Sequence, residues 1–223
     1  MSYTRFAIYY IPPEGSLATF GAKWLGWDVI TGTNDDSLNI PELDDTTMTP
    51  RKYGFHGTLK PPFRLADGYQ VEDLTQAISA MAKRLSRVRC DGLGLSQIGH
   101  FLALTPTGDL QPLSNLARAC VVDLDMFRRP ADATEIERRR ASGLSARQDA
   151  NLLQWGYPYV LEDFKFHLTL TGRLKLGEMS KWKATVAEHM PALLYPFDIT
   201  SVALVGERPD GRFELIQRYD LSA

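Results

Sequence analysis

Hydrophobic positions recur along this chain in two rhythms, and the rhythms alternate in the same order twice. Residues 55–59 read Phe-His-Gly-Thr-Leu, apolar and polar by turns, as a half-buried strand does. Residues 71–84 then place Leu74, Ile78 and Met81 at helical spacing, with Leu85 just beyond. Strand-like runs follow at 87–98 and 101–105, with Gly99-His100 between them. The second half repeats the series. Residues 165–171 read as a strand and 179–189 as a helix ended by Pro191. Residues 195–205 and 212–221 read as strands joined by the turn Arg208-Pro209-Asp210-Gly211. Strand, helix, strand, strand, twice over, predicts a duplicated α+β fold with pseudo-twofold symmetry.

The remaining segments frame these two units. Residues 5–11 alternate weakly and predict a strand stopped by Pro12-Pro13, with Phe6, Ile8 and Tyr10 on one face and Arg5, Ala7 and Tyr9 on the other. Ser16 is placed to cap a helix over 17–25. Residues 28–50 read as a loop with an acidic, solvated rim. Pro61-Pro62 reads as a turn after the first strand. A helix over 112–125 crosses from one half to the other. Within an insertion at 128–154, residues 131–140 and 144–153 form a helical pair split at Ser142-Gly143, placed to wall or lid a groove. Its Arg138-Arg139-Arg140 run reads as a solvated helix face, with a phosphate patch as the alternative.

The two unit-opening strands carry the same five-residue pattern, Phe-His-x-Thr-Leu, at Phe55–Leu59 and Phe166–Leu170. Their histidines lie 111 residues apart, and only four histidines occur in the chain. On a strand, positions i and i+2 share a face. Each copy thus sets His and Thr together on one face and Phe and Leu on the other. Imidazole moves protons near neutral pH, so His56 and His167 facing one atom can serve as base and acid in turn. The hydroxyls of Thr58 and Thr169 can hold the oxygens of a phosphoryl centre. The same parity puts Lys60 beside the first pair, and Lys165 and Thr171 beside the second. Two lysines there would make a well for phosphate and lower both histidine pKa values. Tyr9, Arg147 and Tyr159 are weaker candidates for substrate contact. Neither histidine has a second ligand at a spacing such as His-Glu-x-x-His, so a reaction without metal or cofactor is expected.

On these motifs the sequence resembles the two-histidine (2H) phosphoesterase superfamily, whose signature is a pair of His-x-Thr/Ser strands, one from each half of a duplicated fold. The start at residues 5–10 and the stretches Tyr-Gly-Phe-His-Gly-Thr-Leu-Lys-Pro-Pro-Phe-Arg at 53–64 and Trp-Gly-Tyr-Pro-Tyr-Val at 155–160 resemble one branch in particular. That branch is a family of uncharacterised proteins encoded in phosphonate-utilisation operons. The resemblance implies one bilobal domain: two antiparallel sheets facing a central groove, helices outside. Lobe one would span roughly 13–110. Lobe two would span roughly 111–223, joined by the N-terminal strand. It implies metal-independent hydrolysis of a cyclic phosphodiester, such as a small ribose cyclic phosphate from phosphonate breakdown. An RNA or nucleotide 2′,3′-cyclic end is the alternative substrate. A non-catalytic binder of phosphate esters or short RNA ends is the alternative of a different class.

Charge and composition narrow the partners. With 25 Lys and Arg against 27 Asp and Glu, the formal net charge is −2, which disfavours binding of long nucleic acid by bulk electrostatics. A short RNA end or a small ester remains compatible. Cys90 and Cys120 are too few for a disulfide scaffold or a Cys-rich zinc site. No charged-then-apolar leader and no run near the roughly 20 apolar residues of a membrane span is found. A cytoplasmic protein without a membrane partner is the expectation.

Overall fold

A computed structural model describes residues 3–36, 38–175 and 177–223. In chain order the first half gives β1 (Phe6–Tyr10), α1 (Ser16–Leu25), α2 (Leu43–Arg51), β2 (Gly57–Phe63), α3 (Val71–Ala82), β3 (Val88–Cys90), β4 (Gly92–Ile98) and β5 (Phe101–Thr107). The second gives α4 (Gln111–Val122), α5 (Ala133–Arg140), α6 (Ala146–Trp155), β6 (Leu168–Thr169), α7 (Met179–His189), β7 (Phe197–Ile199), β8 (Ser201–Glu207) and β9 (Phe213–Asp220). The repeated order of strand, helix and strands is present in both halves.

Corresponding strands of the two halves pair with each other. β2 meets β6 antiparallel at Gly57↔Leu168, and β3 meets β7 antiparallel from Val88↔Ile199 to Cys90↔Phe197. Both contacts relate like to like, as a pseudo-dyad between the halves requires. The β2–β6 bridge joins two antiparallel strand sets edge to edge, in the order β4-β5-β6-β2-β1-β8-β9. The sets are exchanged between halves. β6 lies against β5 of the first half, and β2 lies against β1, followed by β8 and β9. The N-terminal strand takes the place beside β2 that β5 takes beside β6.

One face of these strands is buried under helices. Ile8, Leu59, Leu104, Leu168 and Leu204 pack there with Trp24 of α1, Leu74 and Ile78 of α3, Leu116 of α4 and Trp182 of α7. Phe55 and Phe166 belong to the same core, so the apolar members of both motifs lie on this face. Gly57 is small for a reason of packing. A Cβ there would sit 2.3 Å from the Phe166 ring, so the first motif's central residue makes room for the second motif's phenylalanine. Cys90 and Cys120 are free thiols in this core.

Several local expectations are corrected. Ser16 opens α1 as its first helical residue and caps nothing; Gly15 holds the cap position. The segment 28–50 is not all loop, because α2 occupies its end. Its buried positions Leu43, Thr47 and Pro50 keep helical spacing, and the Thr47 hydroxyl donates to the Leu43 carbonyl at 2.8 Å. β2 runs through Pro61-Pro62 instead of turning there. β6 pairs with β2 only at Gly57, so beyond it that side of β2 is an edge, where a missing N–H costs no ladder bond. The run at 87–98 breaks at Asp91, and β3 leaves the main sheet to pair with β7. Residues 195–205 likewise divide into β7 and β8.

Candidate active site

The register of the β2–β6 bridge fixes what shares a face. Gly57 and Leu168 pair and point to the core. Their flanking residues point the other way, which sets His56 opposite Thr169 and Thr58 opposite His167. Each imidazole thus faces the other motif's threonine. The two histidines sit on a diagonal, about 7–8 Å apart at the backbone, which leaves room for a phosphoryl group between the rings.

Both rings are oriented by the same local device. His56 Nδ1 lies 2.9 Å from the Gly54 carbonyl, and His167 Nδ1 lies 2.7 Å from the Lys165 carbonyl. A carbonyl only accepts, so Nδ1 carries the proton in each neutral ring and Nε2 keeps its lone pair. The Thr58 hydroxyl donates to His56 Nε2 at 3.0 Å. No group among the described residues bonds the Thr169 hydroxyl. Gly54 brings its carbonyl round with φ of 69°, and a Cβ there would meet Val29 at 2.5 Å. The first histidine's tautomer therefore depends on a glycine two positions upstream.

Packing sets the electrostatics. Burial pushes the His56 pKa down to about 4; the Gly54 carbonyl opposes the fall, and the charge of His167 adds to it. Burial also lowers His167, opposed by the Lys165 carbonyl. The expectation that two lysines would depress these values is not met. Burial does it, with the histidines' mutual repulsion adding for His56. Tyr9 lies behind the first ring, stacked on His56 with centroids 3.7 Å apart and planes at 20°. It pairs with Thr58 across β1–β2 and is 1% exposed, so it is a platform for His56, not an open contact. Phe101 stands beside His167 at 5.6 Å.

The other sequence candidates go elsewhere. Lys60 is not on this face. In β1, Tyr9 pairs with Thr58 but the preceding Ile8 pairs with Lys60, so β2 carries one extra residue and its parity slips. Lys60 turns into the core at 2% exposure, where its ammonium donates to the Val121 carbonyl at 2.9 Å and lies 3.5 Å from Asp125. It satisfies the last turn of α4, and burial lowers its pKa to about 8 against the pull of Asp125. Thr171 is also buried. Its hydroxyl accepts from the Leu102 N–H at 3.0 Å and donates to the Gly172 carbonyl at 2.9 Å, so its one donor is spent and none is left for a phosphate oxygen. Lys165 is exposed and contributes its carbonyl to His167. Arg147 holds Asp163 through two bonds of 2.7 and 3.1 Å. Tyr159 is 45% exposed and meets Tyr157 edge-on at 5.7 Å. The structure brings His56, Thr58, His167 and Thr169 together, with Tyr9 behind them, and leaves out Lys60 and Thr171.

Two further aromatics near His56 escaped the sequence analysis as site residues. The Tyr53 ring lies 6.2 Å from His56, and burial raises the pKa of the Tyr9 and Tyr157 phenols, with the nearby Tyr53 adding to both. Tyr157 follows α6, so the end of the insertion borders the His56 side of the groove. No group of three or more His, Cys, Asp or Glu among the described residues is arranged to hold a metal ion, and none of their helices is long and apolar enough to cross a membrane.

Residues 58–214 match the model of a family described as "Protein of unknown function (DUF1045)". The chain belongs to that family. Two curated relatives carry the name "Ribose 1,5-bisphosphate phosphokinase PhnN". The one from Janthinobacterium sp. (strain Marseille) is 39% identical over 78% of this chain and 40% of its own length. The one from Laribacter hongkongensis (strain HLHK9) is 32% identical over 86% of this chain and 45% of its own length. The chain thus spans less than half of the relatives it matches. Among solved structures, TT0787 of Thermus thermophilus has a TM-score of 0.46 at 14% identity, covering 97% of each chain. E. coli LigT complexed with 3′-AMP has a TM-score of 0.44 at 14% identity, covering 100% of each. Likeness at that level leaves function to be argued from the site itself.

Proposed function

We propose that the groove hydrolyses a cyclic phosphodiester without metal, with His56 and His167 as its proton-transfer pair. The observation that carries this reading is the β2–β6 register, which puts both imidazoles, each with its proton on Nδ1, and both threonine hydroxyls on one face. His56 takes the base role because its pKa of about 4 leaves Nε2 unprotonated at physiological pH, ready to accept a proton. His56 Nε2 takes a proton from water as the water oxygen attacks phosphorus. The bond from phosphorus to one sugar oxygen breaks, and His167, protonated in the complex, gives that oxygen its proton. The product is an acyclic phosphate monoester. The bound anion favours the imidazolium, and His167 is the ring that accepts it. Thr58 and Thr169 hold the non-bridging oxygens as their charge grows.

The relatives' name refers to a ribose bisphosphate, which favours a ribose cyclic phosphate as the substrate class. The phosphokinase activity in that name belongs, in this reading, to the part of those proteins this chain does not span. No Gly-x-x-x-x-Gly-Lys-Ser/Thr phosphate loop occurs in the sequence. The test is a panel of ribose and nucleoside cyclic phosphates, assayed with excess chelator and across pH. For the free enzyme, kcat/KM should fall below about pH 4 as His56 protonates. It should also fall on the alkaline side as His167, whose pKa lies below the usual 6.5, loses the acid form. The optimum therefore lies on the acid side of neutrality. A rate flat from pH 5 to 9, or one abolished by chelator, contradicts the mechanism. Binding without turnover of any member would leave a phosphate-ester binding protein.

A further inference from the structure

A second feature lies at the other end of β1. Between the ends of β1 and β2 and the start of the insertion is a cleft of about 730 Å³, within the range of ligand sites. Five arginines line it: Arg5, Arg64, Arg128, Arg129 and Arg138. Its three acids are already engaged. Glu207 is held by Arg5 at 2.7 and 2.5 Å, Glu135 by Arg139 at 2.8 Å, and Asp132 accepts from the Glu135 N–H as the cap of α5. Arg128 is fixed by Asp125 at 2.8 and 3.1 Å and by the Gln154 carbonyl.

Arg64, Arg129 and Arg138 differ. Among the described residues, none of the three guanidinium groups has an acid or hydrogen-bond partner, and all three line the one cleft. Two stand on a rigid base. The Arg129 N–H donates to the Arg64 carbonyl at 2.8 Å, the Ala66 N–H to the Phe127 carbonyl at 2.9 Å, and Leu65 bridges Arg128. Three unneutralised planar forks around one cavity match the oxygens of a phosphate. The rest of the Arg138–Arg140 run is consumed elsewhere: Arg139 covers Tyr157, and Arg140 holds Asp149 and Glu137.

The cleft and the groove share a strand. Arg5 and Tyr9 point to the same side of β1 four residues apart, roughly 13 Å by strand rise, and Tyr9 carries His56. We propose that the cleft is a second anion subsite, taking a further phosphate that the substrate carries beyond its cyclic diester. This rests on the groove being the cyclic-phosphate site. The substrate class narrows to cyclic phosphates that carry at least one more phosphate group, on a sugar or along a short nucleotide chain.

The test has two arms. The first compares KM for a nucleoside 2′,3′-cyclic phosphate, its 5′-phosphorylated form, and a 5′-phosphorylated dinucleotide with the same cyclic end. Wild type should show a KM at least tenfold lower for one of the phosphorylated forms, and which one gains identifies the source of the phosphate. In Arg64→Ala/Arg129→Ala/Arg138→Ala that advantage should vanish while the unphosphorylated substrate is handled as before. These side chains have no partner to lose, and an unchanged melting temperature confirms the fold. No advantage in wild type, or one that survives in the variant, overturns the proposal. The second arm titrates inorganic pyrophosphate calorimetrically into wild type, His56→Ala and the triple variant. Binding to the first two but not the third supports the subsite even where no substrate is turned over, which separates its fate from that of the hydrolysis reading. Equal binding to all three overturns it.

Discussion

His56→Ala and His167→Ala should each lower kcat for a cyclic phosphate by about 10²–10⁴-fold, with KM changed far less. That loss corresponds to about 3–5.5 kcal/mol of barrier. Each ring is poised by a carbonyl on Nδ1, so the variant loses a pre-oriented proton carrier and not a binding contact. The fold should survive. His56 is held mainly by the Tyr9 stack and two hydrogen bonds, and its loss opens space at the groove surface, not in the core beneath the helices. The double variant should be little worse than the poorer single one, because the two groups act in one step. Steady-state kinetics on a turned-over member of the cyclic-phosphate panel decides it. Near-full activity in either single variant removes the acid–base pair from the chemistry.

The second large effect concerns stability and separates two readings of Lys60. Asp125→Ala should destabilise the chain by roughly 3 kcal/mol, since it strips a buried ammonium of its counter-charge and also frees Arg128. For a chain of this length that is a fall of about 6–12 °C in melting temperature. Lys60→Met keeps the apolar stem and removes the charge, so it should cost no more than about 1 kcal/mol. It should also leave KM within about threefold, because the ammonium points at α4 and not at the groove. Thermal melts and one kinetic comparison suffice. A tenfold rise in KM for Lys60→Met would return Lys60 to the substrate site.

Lys60 also shows where sequence periodicity fails. Strand parity places it beside Thr58, and the parity is sound up to Leu59. One extra residue opposite Ile8 then turns both Leu59 and Lys60 toward the core, and nothing in the local sequence announces that slip. Thr171 is misplaced for a related reason. The Leu170 and Thr171 N–H groups both turn to the Leu102 carbonyl, so alternation ends two residues after Thr169. Parity did hold at the four residues of the two His-x-Thr motifs, because there the strands pair with each other and burial of one face fixes the other. The order of elements was legible because amphipathic helices such as α3 and α7 advertise themselves. The exchange of histidine strands between halves was not, since pairing partners distant in sequence leave no periodic trace. Of the arginine cleft, only Arg138 was marked, within the 138–140 run that had a phosphate patch as its alternative reading. Arg64 and Arg129 are far apart in sequence and meet only through the pairing of 64–66 with 127–129, while α5 brings Arg138 to the same cleft.

In the proposed reaction both imidazoles address a single phosphorus. A crystal structure with a nucleoside–vanadate mimic of the cyclic phosphate transition state tests it most directly. One vanadium centre should lie between the motifs, with His56 Nε2 and His167 Nε2 each about 2.6–3.2 Å from oxygens on opposite sides of it. A mimic bound against one ring alone, with the other turned to a separate surface, would contradict it.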